Sequence, residues 1–137
     1  MKTPHEIVSH MLNQDAFSNW LGIELSEVRA GYCKAQLTIR NEMLNGFHIA
    51  HGGIAYALAD SNLAFASNTY GVQCVSIETS ISHVLKVQAH DVLMAECKEV
   101  YRGKKTAIYE VRVQNQNNEL IALFKGTVFI TQKEWEF

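Results

Sequence analysis

Proline is almost absent from this chain, with one residue, Pro4, in 137. Rigid proline-rich linkers are therefore excluded, and no repeat or low-complexity stretch takes their place. Cysteine is scarce: Cys33, Cys74 and Cys97 form neither a CxxC pair nor an even-numbered framework, and none has zinc-ligand spacing with a histidine. A disulfide scaffold and a zinc module are both ruled out, and the three read as reduced core residues. No run of about 18 apolar residues exists, and Met1-Lys2-Thr3-Pro4-His5-Glu6 has no signal-like apolar core. The expectation is a cytoplasmic protein, neither exported nor membrane-spanning. An excess of positive charge is also missing, since 12 Lys and Arg face 14 Asp and Glu for a net charge of -2. Nucleic acid is thus not an expected partner, and any anionic ligand must be met by a local basic patch or by backbone N–H groups.

What remains is an ordinary globular composition, 47% hydrophobic and 19% charged. It suits one domain over residues 1–137 that buries roughly two-thirds of its unfolded surface. Thr3-Pro4-His5-Glu6 has the form of a capping box, and Ile7, Val8, Met11 and Leu12 follow at helical spacing, which predicts a short N-terminal helix ending near Trp20. From Gly22 the period becomes two. Arg29-Ala30-Gly31 makes a turn, and Cys33, Ala35, Leu37 and Ile39 share one strand face.

Residues 52–69 read as a small-residue, apolar helix enclosed by other elements. Alternation then returns, with Val75, Ile77, Thr79 and Ile81 on one face, followed by strands over 91–101, 106–113 and 119–131. Arg102-Gly103-Lys104-Lys105 and residues 114–118 supply the turns, and Leu120, Ala122, Phe124, Gly126, Val128 and Ile130 point inward. The pattern predicts an α+β fold. A curved antiparallel sheet of about six strands wraps one central helix, the last four strands forming a meander.

Between Met43 and Ile77 the only formally charged residue is Asp60, in the middle of the most apolar helix. An ionised carboxylate in such surroundings costs several kcal/mol unless paired, and its pKa rises. The bland alternative is a core carboxylate satisfied by Ser61, Asn62 or a backbone donor. Residues 45–53, Asn-Gly-Phe-His-Ile-Ala-His-Gly-Gly, feed directly into this helix. Free N–H groups at a helix start favour anions, so the Gly52 N–H is a candidate donor to a developing oxyanion. Glycines for close packing are the plain reading. Gly52 and Asp60 stand roughly 12 Å apart along one helix and cannot both reach one carbonyl. If both act on one substrate, Asp60 comes from a second copy across a two-fold axis.

Asn45-x5-His51-Gly52-Gly53-x6-Asp60, with Val75-Ser76 on the next strand, resembles the hotdog-fold acyl-CoA thioesterases, most nearly the phenylacetate-degradation (PaaI-like) group. The resemblance implies that Asp60 is the catalytic carboxylate, that the Gly52 N–H polarises the thioester carbonyl, and that Asn45, His51 and Ser76 assist. It also implies a homodimer at least, and by family analogy a homotetramer. Taken as residues alone, His51 can be a helix cap and Ser76 an ordinary strand residue. In the implied reaction His51 bonds the thioester sulfur or orients the loop, and Ser76 places the attacking water. Asp60 acts as general base or as nucleophile.

No G-x-S-x-G elbow occurs, which disfavours a serine-esterase mechanism. Hotdog dehydratases and hydratases resemble one another in proline-rich loops carrying a catalytic His, and here the sole proline is Pro4. The expected activity is hydrolysis of a small aryl- or acyl-CoA, without metal or redox cofactor, coenzyme A being part of the substrate. Arg102, Gly103 and Lys104 are candidates for the coenzyme A phosphates, with His83 and Lys86 weaker ones, although a solvated hairpin tip explains the turn equally well. The rival from another class is a non-catalytic acyl-CoA sensor or binding module, which the full Asn45, His51, Gly52 and Asp60 set argues against.

Overall fold

The computed structural model describes residues 1–137. Its first helix, α1 (Pro4–Gln14), starts at the expected capping box. The Thr3 hydroxyl accepts the Glu6 N–H at 3.1 Å, and Glu6 Oε2 accepts the Thr3 N–H at 2.9 Å. The helix does not run on to Trp20. Asp15 takes an extended backbone, and its carboxylate accepts the N–H and hydroxyl of Ser18 at 2.9 and 2.6 Å, so a separate helix α2 (Ala16–Leu21) begins there. A local cap has won over continued helical periodicity.

Strands β1 (Glu24–Arg29) and β2 (Tyr32–Thr38) form the expected hairpin. At its tip Gly31 has φ +71°, a left-handed backbone that favours glycine. Helix α3 (Gly52–Ser67) carries the apolar run and is followed by β3 (Val72–His83), β4 (Val92–Arg102), β5 (Thr106–Gln114) and β6 (Leu120–Glu134). Ala55, Leu58, Ala59, Leu63, Phe65 and Ala66 of α3 are buried among the alternating inward residues of β2, β4, β5 and β6. The approach is close enough that a Cβ on Gly126 would collide with Leu63 Cδ2. Enclosure is incomplete, however, since Tyr56, Ala57, Asp60 and Ala64 share a stripe that stays only half-buried.

All six strands form one antiparallel sheet in the order β1-β2-β4-β5-β6-β3. It is the α+β sheet around a central helix that the sequence implies, with two corrections. Only β4, β5 and β6 form a meander. Helix α3 carries the chain away from β2, so β3 pairs with β6 at the far edge, while the edge of β2 is taken by β4. The second correction is a register shift between Ser76 and Glu78. Cys74 and Ser76 lie opposite the inward Ile130 and Val128, Thr79 and Ile81 opposite Gly126 and Phe124, but Val75 faces outward opposite Phe129. Val75 and Ile77, 55% and 59% exposed, therefore do not share a face with Thr79 and Ile81. The three cysteines are free and buried, and no helix is long and apolar enough to cross a membrane.

Candidate active site

His51 caps α3, its Nδ1 accepting the Gly53 N–H at 2.9 Å, while the His51 carbonyl accepts the Ile54 N–H at 2.9 Å. The Gly52 N–H is left without an acceptor in the chain. It opens into a hollow lined by Asn45, His51, Gly52, Ala55, His83 and Lys86, among others. The loop is pinned where it enters the helix: the His51 N–H donates to the Met43 carbonyl and the Ala50 N–H to the Val87 carbonyl, each at 2.8 Å. Asn45 accepts the Phe47 N–H on Oδ1 at 2.9 Å, which leaves its Nδ2 free to donate. An accepting Nδ1 likewise leaves the proton of a neutral His51 ring on Nε2. Three residues with a donor to spare thus line one hollow.

Asp60 lies in a second hollow with Leu63, Ser67, Cys74, Val75 and Ser76, and the two hollows have no lining residue in common. The separation read from helix geometry is real. Asp60 has no hydrogen-bond partner, because its neighbours are engaged elsewhere. Ser61 Oγ lies 2.8 Å from Ser18 Oγ, and Asn62 Nδ2 donates to the Cys33 and Ala95 carbonyls at 3.0 Å each. Burial alone pushes its carboxyl above the ordinary range. Ser76 reaches the same hollow through the inward setting of the first part of β3. Ser67 and Cys74 were missed from the sequence, though both were legible in principle. Ser67 lies two turns beyond Asp60 on one helix face, and Cys74 precedes Ser76 by one strand period.

Arg102, Gly103 and Lys104 line neither hollow. The Arg102 guanidinium is 3.7 Å from Glu99 Oε1, donates to the Tyr109 hydroxyl at 3.4 Å, and stacks 4.0 Å above the Tyr70 ring. Tyr109 is fully buried and donates to Glu99 at 2.6 Å, so Arg102 compensates a carboxylate that Tyr109 already needs. Lys104 and Lys105 remain exposed. His83 and Lys86, the weaker candidates, are the ones that border the Gly52 hollow.

Comparison with known proteins adds four findings. The thioesterase superfamily profile matches residues 47–122. The acyl-coenzyme A thioesterase PaaI of Escherichia coli is 33% identical over 116 residues, 85% of this chain and 83% of that protein. Among solved structures, the E. coli PaaI protein from the phenylacetic acid degradation operon superposes with a TM-score of 0.94 at 29% identity, covering 96% of this chain and 95% of that one. A hypothetical thioesterase protein with coenzyme A from Streptococcus pneumoniae gives 0.86 at 25% identity, covering 92% and 98%.

Proposed function

The chain belongs to the thioesterase superfamily and is a thioester hydrolase, and from that premise we propose that it hydrolyses the coenzyme A thioester of a small aryl or acyl group, phenylacetyl-like in size, to the free acid and coenzyme A. The observation that carries the reading is Asp60, a half-buried carboxylate with a raised pKa and no partner, in a hollow walled mostly by apolar groups. Such a group is costly to keep unless it does chemistry.

In this scheme the Gly52 N–H and Asn45 Nδ2 hold the thioester carbonyl oxygen and receive its charge as the tetrahedral adduct forms. His51 orients the loop by capping the helix and offers Nε2–H to the same space. Asp60 of the partner subunit approaches the carbonyl carbon from the other side. It either takes a proton from water placed by the partner's Ser76 or attacks the carbon itself. In a single turnover in ¹⁸O-labelled water, label found on the Asp60 carboxylate identifies nucleophilic attack, because the general-base route puts the label in the product acid only. The scheme draws on no metal or redox cofactor, coenzyme A being part of the substrate.

The second copy is supported by β3. It is an edge strand of 12 residues with outward Val75 and Ile77 exposed, the kind of edge that is blunted by pairing. Two-fold antiparallel pairing of β3 with itself sets the His83 end of one copy beside the Cys74–Ser76 end of the other. The Gly52 hollow of one protomer then meets the Asp60 hollow of its partner. A dimer is the minimum unit, and two such dimers make the tetramer that the family suggests. Lys86 beside the hollow and the exposed Lys104 are the cations we assign to the phosphate end.

The test is release of free thiol from a panel of aryl- and acyl-CoA esters. Turnover of the small aryl and short acyl members supports the proposal. Binding without thiol release supports a sensor instead.

A further inference from the structure

The imidazole of His83 rests on the α-carbon of Gly52: a Cβ added to Gly52 would stand 3.3 Å from His83 Nε2 and 3.4 Å from its Cε1. His51 has spent Nδ1 on the Gly53 N–H, whereas both nitrogens of His83 are without a partner in the chain. The ring is held on fixed backbone. His83 pairs with Ala122 in the sheet, and the Val84 and Leu85 N–H groups that follow both donate to the Ile121 carbonyl, at 2.8 and 3.2 Å. An unpaired imidazole therefore stands beside the free Gly52 N–H.

The direction of the substrate follows from the two hollows. The Asp60 hollow has a carboxylate and no cation among its lining residues, with Leu63, Ala64 and Val128 in its wall, which leaves it to the acyl group and disfavours a charged nucleotide there. The wall from His83 to Val87 carries Lys86 and suits the coenzyme A arm. With the carbonyl oxygen on the Gly52 N–H and the acyl group pointing toward Asp60, the sulfur is the atom on the His83 side.

We infer that His83 is a catalytic residue of the hydrolysis, donating a hydrogen bond from its imidazole N–H to the departing thiolate sulfur; the inference rests on the reading of the Gly52 N–H as the carbonyl donor. When the adduct collapses, the C–S bond breaks and its electron pair goes to sulfur. The N–H meets the charge that develops there. The thiolate takes its proton from solvent on release, so the imidazole returns unchanged and a neutral ring suffices.

The test compares two esters of one acyl group: the coenzyme A ester, whose alkyl thiolate is a strong base, and the S-phenyl ester, whose aryl thiolate leaves without help. His83→Phe keeps a flat ring against Gly52 but has no donor. It should lower kcat on the coenzyme A ester about ten- to a hundredfold, as expected for a lost hydrogen bond to a charged group, while the S-phenyl ester changes by less than about twofold. His83→Gln, which restores an N–H, should recover part of the loss. If His83→Phe leaves both esters unchanged, the ring only packs on Gly52 and the inference fails. Equal losses on both esters also overturn it, since His83 then acts on the carbonyl or the helix start. Should His83→Phe not fold by circular dichroism, His83→Ala gives the same comparison, because the ratio of the two losses is decisive. A wild-type protein that hydrolyses neither ester sinks the proposed function along with this inference. One that hydrolyses both with equal response to His83 sinks only the inference.

Discussion

Asn68 holds the backbone of Cys74 with both ends of its side-chain amide, Oδ1 accepting the Cys74 N–H at 2.9 Å and Nδ2 donating to the Cys74 carbonyl at 3.2 Å. The same amide donates to the Ala64 carbonyl at 2.7 Å and accepts the Trp135 indole N–H at 2.9 Å. One buried side chain thus ties the end of α3 to the start of β3 and to the C-terminal segment. Asp60 and Ser76 sit on the two elements it joins. Asn68→Ala strands a buried backbone N–H and an indole N–H, and should cost about 2–4 kcal/mol of stability. Urea unfolding measures it, and kcat should fall even at temperatures where the variant stays folded. A midpoint within error of wild type would show that water replaces the amide.

Asp60→Asn should fold and still bind coenzyme A, but lose on the order of 10²-fold to 10⁴-fold in kcat, the contribution of a positioned acid or base. Steady-state thiol release measures the loss. A near-wild-type kcat would leave Asp60 as a core carboxylate and remove the basis of the proposed chemistry.

The raised pKa of Asp60 also links stability to pH. Burial makes the folded state bind this proton more tightly than the unfolded chain does. The stabilisation by the protonated form is complete below the ordinary carboxylate range and is lost as pH rises through the raised native value. At neutral pH the ionised group is therefore a net cost. Asp60→Asn should be at least as stable as wild type at pH 7, with the difference narrowing on acidification, as thermal melts across pH would record. A lower Tm for Asp60→Asn at pH 7 would mean that the ionised carboxylate has a partner in the assembled protein.

Shared sites make a mixing experiment decisive. Asp60→Asn and Asn45→Ala chains, each inactive alone, should regain about a quarter of wild-type activity after equal mixing and exchange, because about half the dimers are mixed and each mixed dimer has one intact site. Sedimentation should give a dimer or a larger assembly. No recovery after proven exchange, or a fully active wild-type monomer, would overturn the shared site.

Much of the fold is written in local periodicity. The switch from period two to a helical, small-residue run and back locates α3 and the strands around it, because which face of a segment is apolar depends only on neighbours a few residues away. Asp60 was legible for a similar reason: one charge in a long uncharged stretch is conspicuous in any fold. The separation from Gly52 needed only the rise of a helix. Where local signals compete, reading them in order fails. Asp15 can continue a helix or cap the next one, and only its bonds to Ser18 decide.

What tertiary structure alone decided is which distant groups meet. Residue order cannot say that β3 pairs with β6 and not β4, since strand pairing is a choice among edges that exist only once the helix has packed. Nor does alternation reveal the register shift after Ser76, which turns Ser76 toward Asp60 and leaves Val75 and Ile77 outside. Arg102 looked free because Gly103 and two lysines follow it; Glu99, three residues back on the same strand, Tyr109 on β5 and Tyr70 just beyond α3 claim it. The contact of His83 with Gly52 belongs to the same class, arising where the last residue of an edge strand passes the first residue of the helix. A side chain's partners are set by long-range closure of the chain, and that closure is a property of the packed whole and not of any segment.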